Sequence, residues 1–272
     1  MSQAGAVPEL KVINKADLPV LLLDGEELAG AKQNRVLNTT ILLMEKSETI
    51  IPVSCTEHGR WNYMSREFIE SGNIMSHILR ATNNSSIAVS LRDIQQFSGN
   101  QRKLWDGIDH LCAEANVSSP TGAMRDVFES NENDLKGYLN AFQYVPDQKG
   151  IFVLVNGRAV GFDILSLSSA YEKINSKLIK SYAMDASLSP VDKAVAASVE
   201  KARRFLKSVL QCSEAKYKPV GKGWNYRFEG DGSVGSALVV GESVIHMAFF
   251  KMGKSEKVGG MSPASRRRRY RV

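Results

Sequence analysis

The alternation of apolar and polar positions changes character along the chain. In the first third the period is close to two, as expected for strands. "PELKVIN" alternates up to Asn14, "NKADLP" carries turn chemistry, and "VLLLDG" is a short apolar run closed by Asp-Gly. "RVLNTTILLM", from Arg35 to Met44, is the longest strand predicted, because Val, Thr and Ile favour a pleated surface. "EKSE" turns the chain and "TIIPVSC" returns it. Pro52 cannot donate to a ladder, which predicts an edge or a bulge there. "RWNYMS" is a further strand candidate. Between Ser65 and Ser90 the pattern weakens to a short helix near Ile74 to Arg80, loop chemistry at "NNSS", and a weakly strand-like "SIAVSLRDI".

The middle of the chain changes to a helical period. Leu104, Ile108, Leu111, Cys112 and Ala115 fall on one face, and Leu135, Tyr138, Leu139 and Phe142 on another. Ser119 before Pro120 predicts a capped helix start. Asn156-Gly157 between two apolar runs predicts a hairpin over "GIFVLVNGRAVGFDIL". Helices are expected again at "SAYEKINSKLIKSYAM" and "SPVDKAVAASVEKARRFLKSVLQ". The second has Ser189 as cap and Pro190 at its first position, with Val191, Val195, Val199, Ala202, Phe205, Leu206 and Val209 along one side. Strands return in "GWNYRFEGDGSVGSALVVGESVIHMAFF". The pair "ALVVGESVIHMAFF" echoes "FVLVNGRAVGFDIL", as a shared sheet, an old duplication or chance would produce.

Strands, then helices, then strands predict an α+β fold. Antiparallel sheets are expected in the N-terminal third and at the C-terminal end, with a central helical layer on one side of them. Neither a glycine fingerprint for dinucleotides nor a phosphate-binding loop is present. No linker interrupts the pattern, so a single domain is expected over residues 1–255, followed by a disordered basic tail over 256–272.

Composition narrows this picture. The chain has 272 residues, 43% hydrophobic and 24% charged, which fits a soluble globular protein. Its net charge of +6 is concentrated in Arg266 to Arg269 and Arg271. Without them the remainder is nearly neutral, so nucleic acid is expected only through the Arg-rich tail. Cys55, Cys112 and Cys212 are far apart and odd in number, which argues against a disulfide framework or a zinc set and for a reducing, cytoplasmic setting. No window approaches the roughly 18 apolar residues of a membrane span, and the start lacks a signal-peptide pattern.

Polar chemistry concentrates in two short stretches. "LDGEELAGAKQNR" places Asp24, Glu26, Glu27, Lys32, Gln33, Asn34 and Arg35 in what reads as a loop pinned by apolar strands. Lys32 and Arg35 can neutralise an anion, Arg35 bidentately, while the Gln33 and Asn34 amides suit ribose or base edges. "SCTEHGRW" carries Glu57 as the best general base, His58 as a proton relay, Arg60 as a second anion holder and Trp61 as a stacking surface. An antiparallel return through "EKSE" would bring Arg35 close to Glu57. A third patch, "SSPTGAMRDVFE", adds Arg125 at an expected helix start, and Tyr182 and Asp185 are weaker candidates for the same cleft. Each histidine elsewhere, His77, His110 and His246, reads as structural or surface. Cys55 as a nucleophile lacks an oriented base, and Glu57, His58 and Asp24 or Glu26 lack a metal-ligand spacing, so no metal is expected.

These stretches carry a resemblance. "PVLLLDGEELAGAKQNRVLNTTILL", "IPVSCTEHGRW", "SSPTGAMRDVFE" and "KLIKSYAMDA" resemble the ADP-ribosylglycohydrolase and rhodanese-phosphatase-associated domain family, from about Val7 to Phe250. The resemblance puts one motif on Glu26, Glu27, Lys32, Gln33, Asn34 and Arg35, and another on Ser54, Cys55, Glu57, Gly59, Arg60 and Trp61. It implies a role near ADP-ribose or nucleotide metabolism, by association rather than mechanism. The family often carries Gln where this chain has His58, which weakens histidine chemistry there. The expected partner is therefore a small anionic or nucleotide-like ligand, with a homo-oligomer also compatible and the cofactor unassigned. Hydrolysis of an ADP-ribose-like ligand leads, with a non-catalytic binding module as the alternative.

Overall fold

The computed structural model describes residues 8–60, 62–189, 196–230 and 232–253. The first third forms β1 (Glu9–Asn14), β2 (Val20–Leu22), β3 (Glu26–Gly30), β4 (Arg35–Leu37), β5 (Ile41–Leu43), β6 (Ser47–Cys55) and β7 (Phe68–Ile74). They build a five-stranded antiparallel sheet in the order β1-β6-β4-β3-β7, with β2 and β5 paired separately. The predicted strand from Arg35 to Met44 is thus two strands in different sheets. Its Thr and Ile content suits a strand, but the side chains of Asn38, Thr39 and Thr40 are buried and bonded to other parts of the molecule. That tertiary bonding bends the chain and outweighs local propensity.

Pro52 is not on an edge. One part of β6 pairs with β1 up to Pro52, and Val53 onward pairs with β4. The proline sits where the partner changes, which tolerates a missing amide donor. The segment read as a loop after Gly25 is strand β3, and "RWNYMS" contributes no strand among its described residues.

The helices are α1 (His77–Ile94), α2 (Gln101–Glu114), α3 (Met124–Ser130), α4 (Glu132–Ala141), α5 (Ser168–Leu188) and α6 (Val199–Val209). Helix α1 absorbs both "NNSS" and "SIAVSLRDI". Asn83, Asn84 and Ser85 look like loop chemistry in one dimension. In the fold they are buried, and Asn84 donates to Ser236 at 2.9 Å. Ser119 does not cap a helix; its Oγ accepts from Ala123 N at 2.8 Å, one turn before α3 begins. Ser189 ends α5 and donates to Asp185 O at 2.8 Å, and α6 starts later, with Ser198 as its cap. Pro190, Val191 and Val195 lie outside the described residues, as do Trp61 and the basic tail. Of the described part of that stripe only Phe205 is buried; Val199 and Leu206 are exposed.

The last third and the Asn156-Gly157 hairpin share one sheet. It consists of β8 (Gly150–Val155), β9 (Arg158–Leu165), β10 (Ser213–Tyr217), β11 (Trp224–Gly230), β12 (Ser233–Val240) and β13 (Ser243–Lys251), in the order β10-β11-β12-β13-β9-β8. Asn156 and Gly157 both take positive φ, 47° and 65°, as a two-residue hairpin turn of matching twist requires. The echoing hairpins are neighbours through β13 and β9. On one face Val234, Ala248 and Phe250 meet Ala81 of α1 and Tyr182 of α5. On the other, Phe162 and Phe249 meet Phe205 of α6. Helices therefore cover both faces, because the successive residues Phe249 and Phe250 point to opposite sides. The two main sheets flank the central helices, as an α+β fold. Among the described residues no helix is long and apolar enough to cross a membrane.

Candidate functional site

The two polar stretches meet at the ends of paired strands. Antiparallel pairing of β4 with β6 sets Arg35 opposite Cys55 and Val36 opposite Ser54; the expected direction holds, but only Arg35–Leu37 take part and β5 pairs with β2 instead of completing a simple hairpin. Gln101 extends the end of β6, accepting from Cys55 N at 2.8 Å and donating to Cys55 O at 2.7 Å. Beyond β6 the chain clips onto the segment before α3: His58 N and Gly59 N both donate to Thr121 O, and Met124 N donates to Thr56 O. On the other side β3 runs into a turn at Gly30, whose φ of 146° is open to glycine and whose Cβ, if present, would lie 2.6 Å from Glu67 O.

Glu57 is the hub of this cluster. Its carboxylate accepts from Arg60 Nε at 2.9 Å and Arg60 Nη2 at 2.7 Å, from Thr121 Oγ1 at 2.7 Å, and from Asn34 N at 3.2 Å. Burial alone would raise its pKa. The bonds from Arg60, Thr121 and Asn34 outweigh burial and hold the carboxyl below its usual range. Arg60 also reaches Ala31 O at 2.8 Å and Asn34 Oδ1 at 3.1 Å. The pair thus ties the Gly30–Asn34 turn to the end of β6.

Arg35 is different. It is 8% exposed, and Nη1 donates only to Gln33 O, Asn34 O and Gln33 Oε1, at 3.2, 3.2 and 3.4 Å. No carboxylate bonds to it among the described residues, and its Nε is buried without a partner. Burial, opposed by Cys55 and Glu57 and assisted by the Arg60 charge, lowers its pKa. Because a guanidinium can only donate, it fixes the Gln33 amide with Oε1 inward. Gln33 Nε2 is then left as a second buried donor without an acceptor.

Glu27, on the opposite face of the sheet, pairs with Val36 and accepts from Thr56 Oγ1 at 2.8 Å. It is fully buried, and burial raises its pKa to about 7 against the lowering hydrogen bond from Thr56.

The structure brings Gln33, Asn34, Arg35, Glu57 and Arg60 together and adds Thr121. Lys32 is exposed, with its Nζ 5.5 Å from the Tyr63 ring centre. His58 turns away to Asp109 at 2.9 Å and lies 5.6 Å from the Trp105 ring. Arg125 pairs with Glu129 at 2.5 Å, one turn along α3, while its charge still reaches Glu27. Trp61 lies outside the described residues. Among the described residues no group of three or more His, Cys, Asp or Glu side chains is placed to hold a metal ion.

A second polar network, with no local signal in the sequence, joins α1, β9, α5 and the Asp24 turn. Arg80 of α1 donates to both oxygens of Asp163 on β9, at 2.9 and 2.6 Å, and to Asp24 at 3.3 Å. Tyr182 Oη donates to Asp163 at 2.8 Å, and His246 bridges Asp163 at 3.0 Å and Thr40 at 2.8 Å. Burial opposes the Arg80 charge, but Asp163 and Asp24 more than offset it and raise its pKa. Asp163 is correspondingly held far below the usual carboxylate range, mainly by Arg80 against burial. Arg227 adjoins it, donating to Asn225 and Thr39 at 2.9 Å each, and burial lowers its pKa to about 10 against the charge of Asp24. Residues 83 positions apart in the chain make the central contact, which no spacing rule detects.

Taken together, the structure is an α+β fold with a polar cluster at the ends of paired strands. A family model for the ARG and Rhodanese-Phosphatase-superfamily-associated Protein domain matches residues 1–250. The chain belongs to that family. No curated protein matches it, and no solved structure does.

Proposed function

We propose that the chain is a binding module for a small anionic, nucleotide-like ligand, held at the Gln33–Arg35 turn. The observation that carries this reading is the buried guanidinium of Arg35, which has no carboxylate partner while the neighbouring Arg60 has Glu57. Buried charges are ordinarily paired, and an unpaired one costs free energy that a bound anion would offset. Gln33 Nε2 supplies a second donor beside it. Glu57 then acts as a positioning residue, since its lone pairs hold Arg60, Thr121 and the Asn34 amide. ADP-ribose is the first ligand to test, because the family is named for its association with ADP-ribosylglycohydrolases.

Hydrolysis of the same ligand is the second reading. It rests on Glu57, the general-base candidate, whose carboxylate lies within the same cluster and accepts from the Asn34 amide.

The test is a thermal-shift and calorimetric titration with ADP-ribose and with pyrophosphate. The wild-type protein should bind at least one of them, and Arg35→Met should not. Equal binding by Arg35→Met overturns the assignment of the site. Product analysis separates the two readings. No turnover by a protein that binds supports the module, whereas turnover lost in Glu57→Gln with binding intact establishes the hydrolase.

A further inference from the structure

A cleft opens where the start of α1 meets β9, the end of β13 and the end of α5. It has adjoining compartments of about 570 and 460 Å³, and His77, Arg158 and Asp185 line both. None of the residues of the Gln33–Arg35 cluster lines either one.

His77 is the centre of this cleft. It is the first residue of α1 and is 6% exposed. Its ring lies 5.5 Å from that of Tyr182, stacked at 22°, and its Nδ1 lies 2.6 Å from Asp185 Oδ2. Asp185 is itself fixed by the Ile78 amide, which donates to it at 3.0 Å. Asp185 Oδ2 lies close to Nδ1 but outside hydrogen-bond geometry, so its negative charge, rather than a hydrogen bond, favours the proton on that nitrogen and leaves Nε2 on the free side of the ring. Nε2 makes no hydrogen bond among the described residues. Arg158, at the end of the Asn156-Gly157 turn, and Lys251, at the end of β13, are exposed on the rim and make no ion pair among the described residues. His110 and Glu114, the other charged groups of the wall, already contact each other at 3.3 Å. The positive end of α1 opens onto the same space.

We propose that this cleft is a second ligand site, one that takes a phosphate monoester or inorganic phosphate. The chemistry selects phosphate over other anions. With a second pKa near 6, a phosphate monoester near neutral pH presents P–O⁻ oxygens and, in part of the population, a P–OH group. The P–O⁻ oxygens accept from Arg158 and Lys251. The P–OH donates to a neutral His77 Nε2, and the dianion accepts from the same nitrogen when the imidazole is charged. Phosphate therefore satisfies Nε2 in either protonation state of the ring. Sulfate has the same shape and charge but no O–H, so it satisfies only the charged form. Asp185 serves as the positioning residue for the imidazole. This site is independent of the anion proposed for Arg35, and the test keeps the two apart.

The test is a titration of the full chain with inorganic phosphate, followed by the nitrogen resonances of the His77 ring. Saturable movement of those signals is expected at pH 7.5. Sulfate at equal ionic strength should bind about tenfold more weakly, the effect of losing one hydrogen bond to a buried partner. Arg158→Gln, an exposed substitution that leaves the fold intact, should weaken phosphate binding severalfold without moving Tm. His77→Gln should abolish it, and Arg35→Met should leave it unchanged. Unmoved His77 signals, equal binding of sulfate, or wild-type affinity in Arg158→Gln would each overturn the proposal. An effect of Arg35→Met as large as that of Arg158→Gln would show that the phosphate sits at the turn instead.

Discussion

Arg80 and Arg35 are the same residue type, both buried, and they live in opposite surroundings. Arg80 lies between two carboxylates, Asp163 and Asp24, with the Phe250 ring 4.7 Å from its guanidinium carbon. Arg35 faces carbonyl oxygens and one amide oxygen. Its surroundings lower the pKa of Arg35, whereas those of Arg80 raise it. The contrast separates two uses of a buried cation. Where the chain supplies the counter-charge, the pair welds distant elements, here α1, β9 and the Asp24 turn. Where it does not, as at Arg35 and Arg227, the guanidinium is held by amide, carbonyl and hydroxyl oxygens alone and burial lowers its pKa.

The largest effect should come from the closed network. Arg80→Met leaves Asp24 and Asp163 buried without their cation and should cost about 3–5 kcal/mol in urea denaturation. A loss below about 1 kcal/mol would mean that Arg80 and Arg35 do not differ in kind. The network should also fail in acid. Asp163 has a depressed pKa, so its contribution is present above the unfolded value and is lost as pH falls through the folded one.

Glu27 has the opposite sign. Its folded pKa of about 7 lies above the unfolded value of 4.5, so the folded state holds the proton longer. Stability should therefore fall as pH rises from about 4.5 to about 7, and then level off, by roughly 3 kcal/mol. Glu27→Gln should flatten that slope and be the more stable protein at pH 8. Urea midpoints measured from pH 5 to pH 8 decide it, and an unchanged slope would show that Glu27 is ionised in the fold.

Arg35→Met sharpens the comparison from the other side. Removing a cation that has no carboxylate partner should leave the unliganded protein as stable as before, or more stable by up to about 2 kcal/mol. A large loss of stability would give Arg35 the same structural role as Arg80. The smallest effect belongs to Arg125. Its pair with Glu129 is exposed, so Arg125→Ala should change stability by no more than about 0.5 kcal/mol in the same measurement.

Much of the local architecture was legible in the chain. Period-two alternation located β1, a short apolar run closed by Asp-Gly located β2, the return after "EKSE" located β6, and Asn156-Gly157 located the β8–β9 hairpin, because all these signals act through neighbouring residues. The convergence of the Arg35 and Glu57 stretches was legible too, since one antiparallel pairing of β4 and β6 suffices to create it. Three segments misled for a common reason. The Asn38–Thr40 bend, the Asn83–Ser85 turn of α1 and Ser189 all carry polar side chains whose partners are remote or belong to the preceding helix. Polar side chains at Asn83–Ser85 and Ser189 read as loop and cap, and those at Asn38–Thr40 as continuing strand, until their partners are known.

The amino-acid sequence by itself determined the fold class, most element types and the gathering of amides and cations around the Gly30–Arg35 turn, because periodicity and turn chemistry are properties of adjacent residues. Only the tertiary structure decided how the charges were shared out. Glu57 went to Arg60, Asp163 and Asp24 went to Arg80, Asp185 went to His77, and Arg35 was left with none. Coulombic pairing depends on distances of a few ångströms and on the exclusion of water, and the chain acquires both only when α1, α5 and the two sheets close on one another.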